Sequence, residues 1–224
     1  MPARTLPSKP VSAVGGVFDT YFNVISAKKE NRELKEKYDK LYVENQKLVE
    51  IERENARLRK LLDFAQKKPN TMIAAGVIGE DLKNWFRCVI IDKGSKQNVR
   101  QKMPVVTPKG IVGQVVEVDP WHAKVMVLND ANSSIDVNVE GKNTRGLLEG
   151  TVQNTVKMKY VTKNDDIEIG DKLVTSGKDG VYPKGIPAGI VITANKNKAG
   201  IFVDIDVMPY NNFRQLDEVL LIRK

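Results

Sequence analysis

Three residues that could cooperate in nucleophilic catalysis occur in a known catalytic order: His122, Asp136 and Ser176. A serine nucleophile needs an imidazole to take its proton, a carboxylate to orient that imidazole, and backbone donors for the developing oxyanion. The local sequence does not supply this setting. Ser176 lies in Leu173-Val-Thr-Ser-Gly177 without a doubled glycine around it, and His122 ends Asp119-Pro-Trp-His122, which reads as a turn before a strand. Any chain with one histidine contains some serine and aspartate in order, so the order alone carries little. Other chemistry fares no better. Neither Gly-x-x-x-x-Gly-Lys-Ser/Thr nor a Gly-x-Gly-x-x-Gly after a strand occurs, so no phosphate-cradling loop is expected. Asp165-Asp166 sits in a polar turn, while Asp204 and Asp206 alternate with Val203, Ile205 and Val207 as the wet face of a strand would. A single cysteine, Cys88, excludes an intrachain disulfide and a cysteine-rich zinc site, and one histidine excludes a histidine-rich metal site. Cys88 itself, in Phe86-Arg-Cys-Val-Ile-Ile91, reads as a small buried hydrophobe. No enzyme activity, cofactor or metal is expected.

The elements that would hold these residues fall into two parts. From Lys28 to Gln66 there is no glycine and no proline, and Lys, Arg, Glu and Leu dominate; from Pro69 onward glycine, proline and β-branched residues take over. Beyond this boundary, short apolar or alternating runs predict eleven strands. They are Ile73–Ile78, Phe86–Asp92, Ile111–Val118, Lys124–Leu128, Ile135–Val139, Gly146–Val152, Val156–Val161, Lys172–Thr175, Ile190–Thr193, Phe202–Val207 and Val219–Ile222. Turn residues separate them and no helical pattern intervenes, which points to barrels or sandwiches. An internal echo suggests two related units. Pro108-Lys-Gly-Ile111 is followed by Gly113 and Val115, and Pro183-Lys-Gly-Ile186 by Gly189 and Val191.

The first part carries a seam. Leu34, Tyr38, Leu41, Asn45, Leu48, Ile51, Asn55, Leu58 and Leu62 step by four and three, which keeps one stripe toward a partner helix. The rhythm slips between Leu48 and Ile51, a stammer that overwinds a coil locally. A repeat shows the same slip: Glu30-Asn-Arg-Glu-Leu34, Glu44-Asn-Gln-Lys-Leu48 and Glu54-Asn-Ala-Arg-Leu58. Asn45 and Asn55 on the seam would weaken the coil but fix its register and favour two strands, so a homodimer is expected. The competing arrangement is a helix lying on its own domain. Upstream, Val11, Val14, Phe18, Phe22 and Ile25 continue the helical spacing across a break at Gly15-Gly16, as an extension of the helix or a membrane-proximal amphipathic stretch.

Composition bounds the partners. The chain has 224 residues, 41% hydrophobic and 29% charged, which suffices for one large domain or two small ones and argues against disorder. The net charge of +8 is spread thinly, with 15 Lys+Arg against 10 Asp+Glu in residues 1–68 and 21 against 18 afterwards. Such a surface suits loose attraction to anionic membranes or polymers and not a nucleic-acid stripe. Lys28-Lys29 is the one basic pair leading into the coil, too little for a basic-region zipper. No transmembrane span or signal peptide is read, because the nearly uncharged stretch from Pro10 to Ala27 is interrupted by glycines and polar residues.

Several segments resemble the rod shape-determining MreC family: Ile91-Asp-Lys-Gly-Ser95, Met103-Pro-Val-Val-Thr107, Gly110-Ile-Val-Gly-Gln-Val115, Val127-Leu-Asn-Asp130 and Arg145-Gly-Leu-Leu-Glu-Gly150. So do Gly170-Asp-Lys-Leu-Val-Thr-Ser-Gly177 with Tyr182-Pro-Lys-Gly185, and a Glu-Asn-x-x-Leu coil ending in Leu61-Leu62. The resemblance covers residues from about 20 to the end. Asn98 stands where glycine is usual, and Lys102 before Met103 is a second departure. The resemblance implies a mainly β fold behind an N-terminal coiled coil, with two small β-barrels of protease-like topology and no catalytic triad. It also implies a non-enzymatic scaffold of the bacterial cell-elongation machinery that positions peptidoglycan synthases. The partners would be MreD, the actin-like MreB, and the penicillin-binding transpeptidase with its glycosyltransferase, and no nucleic acid. The family's single N-terminal membrane helix is not seen, so the chain is expected to be the extracytoplasmic, periplasmic portion of a single-pass inner-membrane protein. The expected divisions are 1–27 leader and membrane-proximal segment, 28–66 coiled coil, 70–108 with 188–224 first barrel, and 109–187 second barrel. An active barrel protease and a coiled-coil nucleic-acid binder are the competing readings.

Overall fold

The computed structural model describes residues 15–66, 72–81, 87–151, 155–196 and 200–223, with helix side chains described from 32 to 64. The expectations for the leader up to residue 14, and for strand ends at Phe86 and Val152, lie outside these residues. The chain divides into two units, Met1–Arg59 and Lys60–Lys224.

One helix, α1, runs unbroken over Gly15–Gln66, 52 residues or about 78 Å at the usual rise. It begins at Gly15-Gly16, the pair expected to interrupt it, and passes through the Leu48–Ile51 slip without a break. A stammer changes which face carries the seam, not the backbone hydrogen bonding. Its last turn belongs to the second unit: Leu61 is buried with Val106, Leu220 and Ile222, and Phe64 packs beside them.

Two closed six-stranded barrels follow, and the fold is mainly β behind one helix. The first barrel contains β1 (Met72–Asp81), β2 (Cys88–Ile91), β3 (Pro104–Thr107), β4 (Gly110–Val118), β5 (Ala123–Val127) and β12 (Glu218–Ile222), in the spatial order β1-β12-β3-β4-β5-β2. The second contains β6 (Ser134–Val139), β7 (Arg145–Gly150), β8 (Val156–Lys159), β9 (Lys172–Thr175), β10 (Pro187–Asn195) and β11 (Asp204–Pro209), ordered β10-β11-β8-β7-β6-β9. Inward-facing residues fill each barrel, for example Ile91, Val105 and Leu221 in the first and Leu148, Leu173 and Ile205 in the second.

Three expectations need correction. The barrel boundaries are not 70–108 with 188–224 and 109–187. β4 and β5 pair with β3 and β2 of the first barrel, and β10 and β11 pair with β9 and β8 of the second. The Pro-Lys-Gly-Ile segments lead into central strands and do not divide barrels. β3 was not among the predicted strands, because Pro104-Val-Val-Thr107 is short, opens on proline and is buried at every position, so no alternation marks it. Phe202 lies outside β11 and makes one isolated bridge to Thr162.

The sequence echo has a structural counterpart. β4 and β10 are each the middle strand of a three-strand meander, β3-β4-β5 and β9-β10-β11. A bulge falls at Val112 against β3 and at Ala188 against β9, directly before Gly113 and Gly189. A second falls three residues after each glycine, at Val116 against β5 and at Ile192 against β11. Paired bulges bend and twist a strand enough to close a small barrel. Both glycines sit where the neighbouring strand passes closest: a Cβ on Gly113 would lie 1.9 Å from the Met126 carbonyl oxygen, and one on Gly189 2.5 Å from that of Met208.

The departures at Asn98 and Lys102 also have a backbone basis. Both adopt left-handed conformations, φ 63° and 67°, where glycine is least strained.

Candidate functional site

The residues expected on the helix seam share one property in the single chain: all are exposed. Leu34, Tyr38, Leu41, Leu48, Ile51, Leu58 and Leu62 range from 67% exposed at Leu34 to 43% at Leu58. Asn45 and Asn55 are exposed between them. Tyr42 is also exposed and stacks on Tyr38 with ring centroids 6.3 Å apart, so the apolar face is wider there than a strict four-three stripe, while the exposed Val43 lies on the opposite side of the helix. Sequence periodicity missed Tyr42 because it flanks the seam. Surface pairs such as Arg32 with Glu36 (3.4 Å) lie on the side of the helix away from the seam and contribute little each. The seam's end differs from its middle: adjacent leucines part ways, Leu61 entering the barrel unit and Leu62 remaining exposed.

The structure does not assemble His122, Asp136 and Ser176. His122 is exposed in the β4–β5 turn of the first barrel, where its carbonyl accepts from the Asp119 N–H at 2.9 Å. Asp136 and Ser176 lie in the second barrel on neighbouring strand segments, and the Ser176 N–H donates to the Asp136 carbonyl at 3.0 Å. The Asp136 carboxylate is held by the Arg145 guanidinium, Nε to Oδ1 at 2.7 Å with a second bond from the other guanidinium nitrogen. The Arg145 hydrogen bond holds the Asp136 carboxyl below its ordinary pKa; burial opposes it and the Ser176 hydroxyl assists. That carboxylate orients no imidazole, and Ser176 has an aspartate where a nucleophile needs a base.

This pair sets a pH dependence. An Asp whose folded pKa lies below the unfolded value of about 3.9 stabilises the fold above that pH, and the contribution disappears as acidification protonates it. Asp165, lowered by hydrogen bonds from Thr162, acts in the same sense. Melting temperature is therefore expected to fall between roughly pH 5 and pH 3, and Asp136→Asn to flatten that fall while lowering stability near neutrality. A variant with the same acid limb as the parent would contradict this assignment.

Asp204 and Asp206 lie on the outer face as expected, both paired with Lys157 (3.0 and 3.6 Å). Cys88 is buried, and burial raises its thiol pKa, so it is poorly suited as a nucleophile. Among the described residues no group of three or more His, Cys, Asp or Glu is placed to hold a metal, and no helix is long and apolar enough to cross a membrane.

A buried asparagine that the sequence did not reveal joins the barrels. Asn211 lies in the segment returning from β11 to β12. Its amide donates to the Gly110 and Ile111 carbonyls (3.0 and 2.8 Å) and its oxygen accepts from the Thr107 hydroxyl (2.7 Å). Gly110 itself, at φ 145°, abuts the Pro187 carbonyl of the second barrel, 2.2 Å from where a Cβ would stand.

The family model for the MreC barrel core, "Rod shape-determining protein MreC, barrel core", matches residues 77–223. The chain is 29% identical over 225 residues to the cell shape-determining protein MreC of Escherichia coli K12, covering 99% of this chain and 60% of that protein. It is 30% identical over 228 residues to that of Bacillus subtilis 168, covering 96% and 79%. Among solved structures, MreC from Pseudomonas aeruginosa is similar at a TM-score of 0.65 and 31% identity, over 68% of this chain and 99% of that one. A complex between penicillin-binding protein PBP2 and MreC from Helicobacter pylori contains a chain similar at 0.54 and 13% identity, over 69% and 99%, a likeness of fold alone.

Proposed function

This chain belongs to the MreC family of rod shape-determining proteins, and we propose that it acts as a non-enzymatic dimeric scaffold of the bacterial cell-elongation machinery. The observation that carries the dimer is the exposed apolar face of α1, from Leu34 to Leu62. Leucines left in water on a long helix gain stability when a second copy covers them, each by up to about 2 kcal/mol. Asn45 and Asn55 fix the register of that pairing. The last helical turn, seated on Val106, Leu220 and Ile222, couples the coil to the first barrel, so a paired coil presents two copies of the barrels together.

The barrels supply the docking surfaces. A relative from Helicobacter pylori is found in complex with PBP2, and a penicillin-binding transpeptidase is the synthase partner we propose here, with MreD and MreB completing the assembly. The setting we propose is the inner membrane, with the barrels on its extracytoplasmic side. In that role the protein positions peptidoglycan synthases and maintains rod shape without chemistry of its own.

The test separates scaffold from enzyme. His122→Ala and Ser176→Ala, each in a membrane-anchored version, are expected to restore rod shape to a strain lacking its MreC. Melting of the purified variants controls for stability, because Ser176 is buried and its hydroxyl accepts from the Lys178 N–H at 3.1 Å. Round cells at normal protein level and with unchanged partner binding would contradict the scaffold.

A further inference from the structure

Several lysines on the outer faces of the barrels are neutralised. Lys93, Lys124, Lys142, Lys157 and Lys159 each pair with Asp or Glu, and Lys96 lies over the Trp121 ring at 3.6 Å. One cleft gathers cations that have no such partner among the described residues. Arg100, Lys102 and Arg223 line a single cleft of about 390 Å³, with Met103, Val181 and Ile222 among its apolar walls. No acidic residue is among the described residues of the lining, and none of the three cations makes an ion pair among the described residues. The cleft is built from both barrels: the β2–β3 connection and the end of β12 on one side, and the turn at Gly180-Val181 on the other.

Three like charges converging on one concavity repel one another, and a fold gains nothing from leaving them unneutralised. Lys102 adds a second cost, because its left-handed backbone at φ 67° is one that non-glycine residues avoid. Uncompensated costs that coincide at a concave site point to a ligand that offsets them. Two guanidiniums form planar forks matched to tetrahedral or planar oxyanions, and the ammonium between them in sequence supplies a point charge. Three cations exceed the needs of one carboxylate and match the higher charge of a phosphate.

We infer that this cleft is a phosphate-binding site, held by Arg100, Lys102 and Arg223, for a phosphate group carried either on a soluble molecule or on a lipid headgroup. It is independent of the coiled coil and of the proposed synthase partner. Sulfate and other tetrahedral dianions would compete for it, and salt would weaken it.

Two arms distinguish the sources. Inorganic pyrophosphate is titrated calorimetrically into the full chain at low ionic strength, and the chain is sedimented with vesicles of phosphatidylglycerol in phosphatidylcholine. Either saturable pyrophosphate binding at one site per chain or phosphatidylglycerol-dependent sedimentation is expected, the first indicating a soluble phosphate and the second a headgroup. Arg100→Gln with Arg223→Gln should weaken the observed binding by roughly tenfold or more, as loss of charge-assisted hydrogen bonds predicts. Lys102→Gly removes the ammonium while suiting the left-handed backbone, and should weaken binding without loss of fold; Lys157→Gln, elsewhere on the barrels, should leave it unchanged. A measurement on the parent chain needs no variant: pyrophosphate or the vesicles should slow phenylglyoxal modification of Arg100 and Arg223, read by mass spectrometry. Absence of both kinds of binding, equal binding by all variants, or unprotected arginines would overturn the site.

Discussion

Gly113→Val is expected to lower the melting temperature of the barrels by about 10 °C, a loss of roughly 4 kcal/mol. The cause is backbone against backbone. A Cβ at this position would stand 1.9 Å from the Met126 oxygen, 2.8 Å from its carbonyl carbon and 2.9 Å from the Val127 Cα, so β4 and β5 must separate to admit it. No flexible side chain is available to yield. Gly189→Val should act in the same direction and less severely, since its nearest backbone neighbour, the Met208 oxygen, is 2.5 Å away. Gly79→Val is the control: its Cβ would meet only Ile90 Cδ1 at 4.0 Å, and a β-branched residue on a strand should be neutral or mildly stabilising there. Thermal melts that show Gly113→Val and Gly189→Val unchanged, or that place Gly79→Val below them, would defeat the reading of paired bulges as barrel-closing devices.

Asn211→Ala is expected to cost roughly 2–4 kcal/mol, because one truncation leaves the Thr107 hydroxyl and the Gly110 and Ile111 carbonyls without their partner. Thr107 and Asn211 are each 7% exposed, so water replaces those bonds poorly. The damage should be local to the junction of the barrels. Amide exchange at Ile111 and in the return segment before β12 should speed up more than in β6 or β7. Uniform loss of protection, or none, would mean that the barrels are not joined through this residue.

What was legible in the sequence follows from how each feature is encoded. The helix was legible because its signal is long and uninterrupted, and all eleven predicted strands overlap observed ones because turn glycines and prolines bracket them. β3 was not legible, since a strand covered on both sides has no alternation to read. The barrel divisions failed for a different reason. A repeated Pro-Lys-Gly-Ile pattern shows that two segments are alike, but hydrogen-bond partners decide which barrel each joins, and β12 returns to the first barrel from the far end of the chain. The echo itself was informative, since β4 and β10 share bulges at matching offsets from Gly113 and Gly189. Asn211 was illegible because a polar residue in a connecting segment looks like any solvated loop until its partners, some 100 residues away in sequence, are placed beside it. Arg100, Lys102 and Arg223 were illegible as a group for the same reason.

The fate of adjacent leucines in the coil decides where the helix can be cut. Deletion through Gln66 removes Leu61 and Phe64 and bares Val106, Leu220 and Ile222, so loss of structure would follow whatever the coil does. A cut at the boundary between the two units, keeping Lys60–Lys224, spares that contact.

Light scattering of the full chain against the Lys60–Lys224 fragment, at equal low-micromolar concentration, therefore tests the dimeric scaffold most directly. The account predicts a dimer for the full chain and a folded monomer for the fragment, with Leu41→Asp and Leu48→Asp together converting the full chain to monomer. A monomeric full chain, or a fragment that stays dimeric, would contradict it.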